Sequence, residues 1–267
     1  MQSQLLYFVP LCVATRLGCI KELIFPLPPI AEQRRIADIL DRADAVRRKR
    51  QAAIALTEEL LRSAFLEMFS EYLNSRHTLA FTDVSEVLVD CRNKTAPYVD
   101  EGIPLIRTTN FRDYRLDLSD LKYVTAATNA IWSSRYQTAP NDIVYAREAP
   151  FGMAAIVPEG FFPCLGQRIM VSHPNRNLVL PEYLLFALNS PFVYKQALEV
   201  AVGSTVKHLR VADVNQLRIP VPPMSLQEKF VTLRNQAEYS RFRQANQGKE
   251  GMEFFNALLQ RAFQGKL

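Results

Sequence analysis

The chain is 267 residues long and 48% apolar, enough to build a packed core, which excludes disorder as the default state. It carries a net charge of +5, yet basic and acidic residues balance between Ala80 and Pro220, so the excess lies near the two ends. Bulk attraction to an acidic partner is therefore excluded for the middle of the chain, where any nucleic-acid surface must come from local clustering.

The first 29 residues read as a tail. Leu17, Ile20, Leu23 and Pro28-Pro29 recur in order as Val211, Val214, Leu217 and Pro222-Pro223. The later copy closes a globular stretch, so the earlier one is expected to be the remnant end of a similar domain, over 1–29. Leu5 to Ala14 is apolar, but it lacks a basic lead, contains Pro10 and is too short to cross a membrane.

From Ile30 the pattern turns helical. Gln33, Ile36, Leu40, Ala43, Ile54, Leu61, Ala64 and Met68 share a 3–4 spacing, with Arg47, Arg50 and Thr57 filling the same stripe. No Gly or Pro interrupts Ile30 to Tyr72, which predicts a helix on the order of 60 Å long. A helix of that length with a partly polar seam calls for a partner helix. The first helical segment is assigned to 30–76. The run Arg47-Arg48-Lys49-Arg50 reads as a solvated face rather than a phosphate grip.

The stretch 77–222 reads as one mixed domain. Strands are expected at Ile103–Arg107, Asp142–Arg147, Met153–Val157 and Arg168–Ser172, with turns at Pro140-Asn141-Asp142 and Pro158-Glu159-Gly160. A helix is expected from Pro181 to Leu188, resuming after Pro191. The second helical segment, 223–267, opens on Ser225 and Glu228 and repeats the first. Leu60-Leu61-Arg62-Ser63-Ala64-Phe65 returns as Leu258-Leu259-Gln260-Arg261-Ala262-Phe263. Gly248 and Gly251 are expected to break or bend it. The fold class is α+β: one mixed domain flanked by two long helices that form an antiparallel coiled coil.

Catalytic motifs are missing: no glycine-rich phosphate loop, no HExxH and no GxSxG. Cys12, Cys19, Cys91 and Cys164 form no CxxC pair and show no metal-like spacing with His77, His173 or His208. A reduced, cytoplasmic protein without a metal site or disulfide framework is expected. His173, before Pro174, reads as a turn residue. The polar clusters suit nucleic acid instead. Arg107, Thr109, Asn110 and Arg112 follow one strand, and Arg147 with Glu148 closes another. Lys94, Gln167 and Arg168, then Ser204, Thr205, Lys207 and His208, add further donors. Arg pairs with guanine edges, Asn with adenine edges, and a carboxylate accepts from cytosine, so this mixture could read bases. Surface loops with satisfied ion pairs account equally well for the residue types alone.

The motifs in order carry a resemblance. They are Pro26-Leu27-Pro28-Pro29 with Glu32-Gln33, then Ala146-Arg147-Glu148-Ala149-Pro150-Phe151-Gly152 and Cys164-Leu165-Gly166-Gln167-Arg168. Gly203-Ser204-Thr205 with His208-Leu209 and Ile219-Pro220-Val221-Pro222-Pro223 with Gln227 follow. The chain resembles the specificity subunit of type I restriction–modification systems. That family implies target-recognition domains, each followed by a long helix, with the helices paired antiparallel. It implies double-stranded DNA, a methyltransferase subunit and a restriction/translocase subunit as partners, with a homodimer as an option for a half-size chain. No catalysis is expected in the chain itself; S-adenosylmethionine, ATP and magnesium belong to partner subunits. Only one complete recognition domain is present, where the family has two. The alternative is a truncated interaction or decoy module that docks the methyltransferase without reading a complete bipartite site.

Overall fold

A computed structural model describes residues 29–73, 77–203 and 207–263. The expected tail over 1–29 lies outside the described residues apart from Pro29, as do residues 204–206. Two compact units are present, one built from 1–54 with 242–267 and the other from 55–241. Helices α1 (Ile30–Leu73) and α6 (Met224–Phe263) contribute to both.

The larger unit is organised on a four-stranded antiparallel sheet in the order β2-β10-β7-β8, formed by Ser85–Asp90, Ile169–Pro174, Ile143–Ala146 and Ala154–Ile156. Its strands alternate with period two, and both faces are buried. Ile143 and Tyr145 of β7, Met170 of β10 and Ala154 of β8 enter one core, while Val144, Ala146, Ile169, Val171 and Ala155 enter another. The second core is covered by a smaller sheet, β6-β3-β9 (Lys122–Val124, Ile103–Ile106, Cys164–Leu165), in which β3 and β9 run parallel. Helix α2 (Ala126–Trp132) follows β6 and is capped by the Thr125 hydroxyl. Short strands β1 (Thr78–Ala80) and β11 (Arg218–Pro220) pair where the chain enters and leaves. A hairpin, β4 (Phe111–Arg112) with β5 (Arg115–Leu116), completes the strands.

The first core is aromatic. Helices α3 (Pro181–Leu188) and α4 (Pro191–Val200) begin on prolines that lock the first turn. Phe65 and Phe69 of α1 meet Tyr183 and Phe186 of α3 and Phe230 of α6, with ring centroids 4.8–5.7 Å apart. Helices α1 and α6 therefore insert into the domain rather than merely flank it, and the compact unit extends past the 77–222 boundaries read from the sequence. α5 (Val211–Asn215) closes this core with Val214.

The proline repeat has a structural meaning. In α6 the amides of Leu226 and Gln227 both donate to Pro223 O; in α1 the amides of Glu32 and Gln33 donate to Pro29 O. The second glutamine is wholly buried. Its Oε1 accepts from Leu180 N at 2.9 Å, and its Nε2 donates to Leu178 O at 2.9 Å and Pro222 O at 3.0 Å. One side chain thus ties the start of α6 to the start of α3.

The two long helices run antiparallel within the larger unit. Phe65 lies against Phe230, and Arg115 of the hairpin bridges Glu58 of α1 and Glu238 of α6. Burial pushes the Glu238 carboxyl up, but Arg115, Arg241 and Arg234 outweigh it and hold it below the usual range. In the smaller unit, Arg50 Nη1 donates to Gln247 O at 2.9 Å. The expected break at the glycines is corrected: α6 is continuous through both. A Cβ at Gly251 would lie 3.1 Å from Arg50 Nη1, so the missing side chain there makes room for the neighbouring guanidinium. Helical hydrogen bonding survives a glycine, which costs only about 1 kcal/mol against alanine.

Phe69→Ala should lower the unfolding free energy by about 3–5 kcal/mol in urea titration, because it empties a fully buried ring site. Leu56→Ala, on an exposed position of the same helix, should change it by less than about 0.5 kcal/mol. Equal losses would contradict the placement of the aromatic core.

Candidate nucleic-acid interface

Because both faces of the central strands β7 and β10 are covered, they deliver polar groups at their ends, and several strand ends converge. Backbone bonds clip them together. Gly166 N, just past β9, donates to Ile106 O at the end of β3, at 2.7 Å. Arg147 N, just past β7, donates to Arg168 O at 2.9 Å, and Leu209 N donates to Arg147 O at 2.9 Å. Cys91 N, past β2, donates to Ile169 O at 3.0 Å. A Cβ at Gly166 would stand 2.8 Å from Ile106 O, so glycine alone permits this approach.

Two expected base readers turn inward. Asn110 is only 2% exposed, and its amide is consumed by the backbone: Oδ1 accepts from Arg107 N at 2.9 Å, and Nδ2 donates to Asp117 O and Asp120 O at 3.0 and 3.1 Å. Arg147 is 6% exposed; its Nη1 donates to Leu209 O at 2.9 Å, and its Nε is enclosed without an acceptor. These two are corrected from contact residues to supports, because the loop backbones they satisfy would otherwise be buried with unpaired polar groups. Arg107 is intermediate: its Nη2 donates to Asp120 O at 2.8 Å and to the Asp120 carboxylate at 3.0 Å.

Other expected residues face outward. Lys94, Thr109, Gln167 and Lys207 are exposed, and Gln167 Nε2 reaches Thr95 Oγ1 at 3.2 Å. His208 is half-buried, and its backbone pairs with Val202 in both directions. Arg112 is exposed on the β4–β5 hairpin, 3.5 Å from Asp117. That hairpin is turned toward α1, where Arg62 stacks 4.6 Å over the Tyr114 ring, so Arg112 is not grouped with the strand ends. Ser204 and Thr205 lie outside the described residues.

Arg168 stands apart. Its φ of 69° is in the left-handed region, which costs a residue with a Cβ roughly 1–2 kcal/mol. Its Nε lies 3.1 Å from Glu148 Oε2, both side chains being about one-third exposed. A part-exposed pair contributes about 0–1 kcal/mol, which does not offset that strain.

The structure adds residues the sequence reading passed over. Arg92, Asn93 and Thr95 are exposed beside Lys94 in the loop leaving β2. The Arg92 guanidinium sits 5.1 Å over the Trp132 ring, whose Nε1 donates to Lys94 O at 3.3 Å. The signal was available: Val87, Leu88 and Val89 form an apolar strand immediately before this polar run.

At the opposite ends of β7 and β10, buried Asp142 Oδ1 lies 2.7 Å from His173 Nδ1 and accepts from the Tyr136 hydroxyl at 3.1 Å. Its Oδ2 accepts from Ala139 N at 2.7 Å. Burial pushes the Asp142 carboxyl up, and burial beside that carboxylate pushes the Tyr136 phenol up. His173 is thereby corrected from a turn residue to a strand residue: it pairs within β10 and its ring meets Asp142 at the start of β7. Among the described residues no group of three or more His, Cys, Asp or Glu could hold a metal ion, and no helix is long and apolar enough to cross a membrane.

Residues 89–233 match the family model described as type I restriction modification DNA specificity domain. The EcoBI type I restriction enzyme specificity subunit of Escherichia coli is 25% identical over 242 residues, covering 79% of this chain and 51% of that protein. The EcoKI specificity subunit of Escherichia coli K12 is 26% identical over 178 residues, covering 63% and 37%. The chain thus spans about half the length, or less, of these relatives. Among solved structures, the S subunit of a type I restriction–modification system from M. genitalium aligns with a TM-score of 0.57 at 16% identity, covering 93% of this chain and 65% of that one. A chain from a type I R-M system solved for its complex assembly and conformational transition aligns at 0.55 with 22% identity, covering 91% and 62%.

Asn110→Ala should lower the unfolding free energy by about 1–3 kcal/mol, since it strands the Arg107 amide and the Asp117 carbonyl. A change within about 0.5 kcal/mol would return Asn110 to an exposed, contact-making role.

Proposed function

Since the chain belongs to the type I restriction modification DNA specificity family, we propose that it binds double-stranded DNA sequence-specifically and directs methylation and cleavage by partner subunits. One observation carries this reading: within the family-matched span, backbone bonds clip five chain segments together at the ends of two sheets, and Lys94, Arg107, Gln167, Arg168, Lys207 and His208 lie in or beside those segments. Donors fixed on strand ends keep their spacing when DNA binds, which favours reading over mere attraction. Lys94 and Lys207 suit phosphate, while Gln167 and the Arg168–Glu148 pair suit base edges.

The chain itself performs no catalysis in this proposal. S-adenosylmethionine, ATP and magnesium sit on the partners, a methyltransferase subunit and a restriction/translocase subunit. Exposed Leu56 and Leu60, one turn apart on α1, and exposed Tyr239 on α6 support helix-to-helix docking of the methyltransferase.

The test is a salt titration of DNA affinity for the chain co-purified with its methyltransferase. Lys207→Ala should weaken every duplex alike and reduce the slope of log affinity against log salt by about one. DNA binding by the wild-type complex that is absent, or that shows no salt dependence, would contradict the proposal.

A further inference from the structure

Resting on the DNA-binding reading above, we propose that Glu148 and Arg168 act together as the reader of one C·G base pair in the major groove. Three observations converge on this pair. It joins the ends of two neighbouring strands, because Arg147 N is bonded to Arg168 O at 2.9 Å immediately beside it. Its base is fixed from behind: the Arg147 guanidinium is buried against Leu209 O, and Gly166 seats the Arg168 turn on the end of β3. Its Arg is held in a left-handed conformation that glycine would adopt without strain, so the side chain itself is what the position requires.

The charge of the pair selects its target. A carboxylate on a surface that meets phosphates is repelled by them, so Glu148 has no use as a backbone contact. A carboxylate accepts from the cytosine N4 amine, and a guanidinium donates to guanine O6 and N7. Held 3.1 Å apart, Glu148 and Arg168 present an acceptor beside donors, which complements the edge of a single C·G pair. In the free protein the two groups face each other as a part-exposed ion pair. On the matching duplex both partners are replaced at once, whereas an A·T pair offers the guanidinium no comparable partner on the thymine side.

The experiment selects duplexes from a randomised library with the methyltransferase-assembled complex, comparing wild type, Glu148→Gln and Arg168→Gly. Wild type should select a site with an invariant C·G pair at one position. Arg168→Gly keeps the turn without strain, so its thermal midpoint should stay level or rise while preference at that one position falls about ten- to a hundred-fold. Glu148→Gln should admit adenine at the same position, since a carboxamide pairs with adenine N6 and N7. Preferences at other positions should be unchanged in both. Intact preference at every position in both variants, or an equal loss at all positions, would overturn the assignment while leaving the DNA-binding reading in place. A wild-type complex that selects no sequence would overturn both.

Discussion

Strand β7 is buried on both faces, and that constraint decides where this protein can display polar chemistry. Ile143 and Tyr145 fill the aromatic core, while Val144 and Ala146 fill the core beneath the smaller sheet. Nothing polar can leave the strand sideways. The first residue past its end, Arg147, is still 94% buried, and it serves to hold the crossing loops with its backbone and guanidinium. Along this strand, charge first reaches solvent at Glu148, beside the neighbouring strand ends. Two-sided burial rigidifies the sheet, and rigidity is what a base-reading surface needs from its scaffold.

The same burial explains why the helices belong to the domain. One face of the sheet needs cover, and α3 and α4 supply only part of it. Phe65 and Phe69 from α1 and Phe230 from α6 complete the layer, and Gln227 joins the start of α6 to the start of α3. Arg115 adds a forked contact to Glu58 and Glu238 on the two helices. The recognition domain is thereby fixed to the helices by apolar packing, a buried amide and a charge network.

Much of this was legible in the sequence, for definite reasons. The repeat of Pro28-Pro29 and Gln33 as Pro222-Pro223 and Gln227 located both helix starts, and their amides make the same bonds to Pro29 O and Pro223 O. Runs rich in Val and Ile marked β3, β7, β8 and β10 to within a residue or two at each end. The two-residue strands β4, β5 and β9 are too short to show a period and were invisible. Residue type also gave no direction for side chains. Asn110 and Arg147 have the chemistry to read bases, but tertiary packing assigns them to unpaired backbone groups. Gly248 and Gly251 carried a local preference for a break, yet the helix runs through both, and Gly251 sits close beside Arg50.

Hydrogen–deuterium exchange on the methyltransferase-assembled chain, with and without its selected duplex, tests the central claim most directly. DNA at the strand ends should slow exchange in 91–95, 107–110, 147–148, 166–168 and 207–210 together, while the β4–β5 hairpin and the Asp142–His173 end of the sheet stay unchanged. Protection confined to the hairpin or to the Asp142 end would place DNA elsewhere and contradict the account.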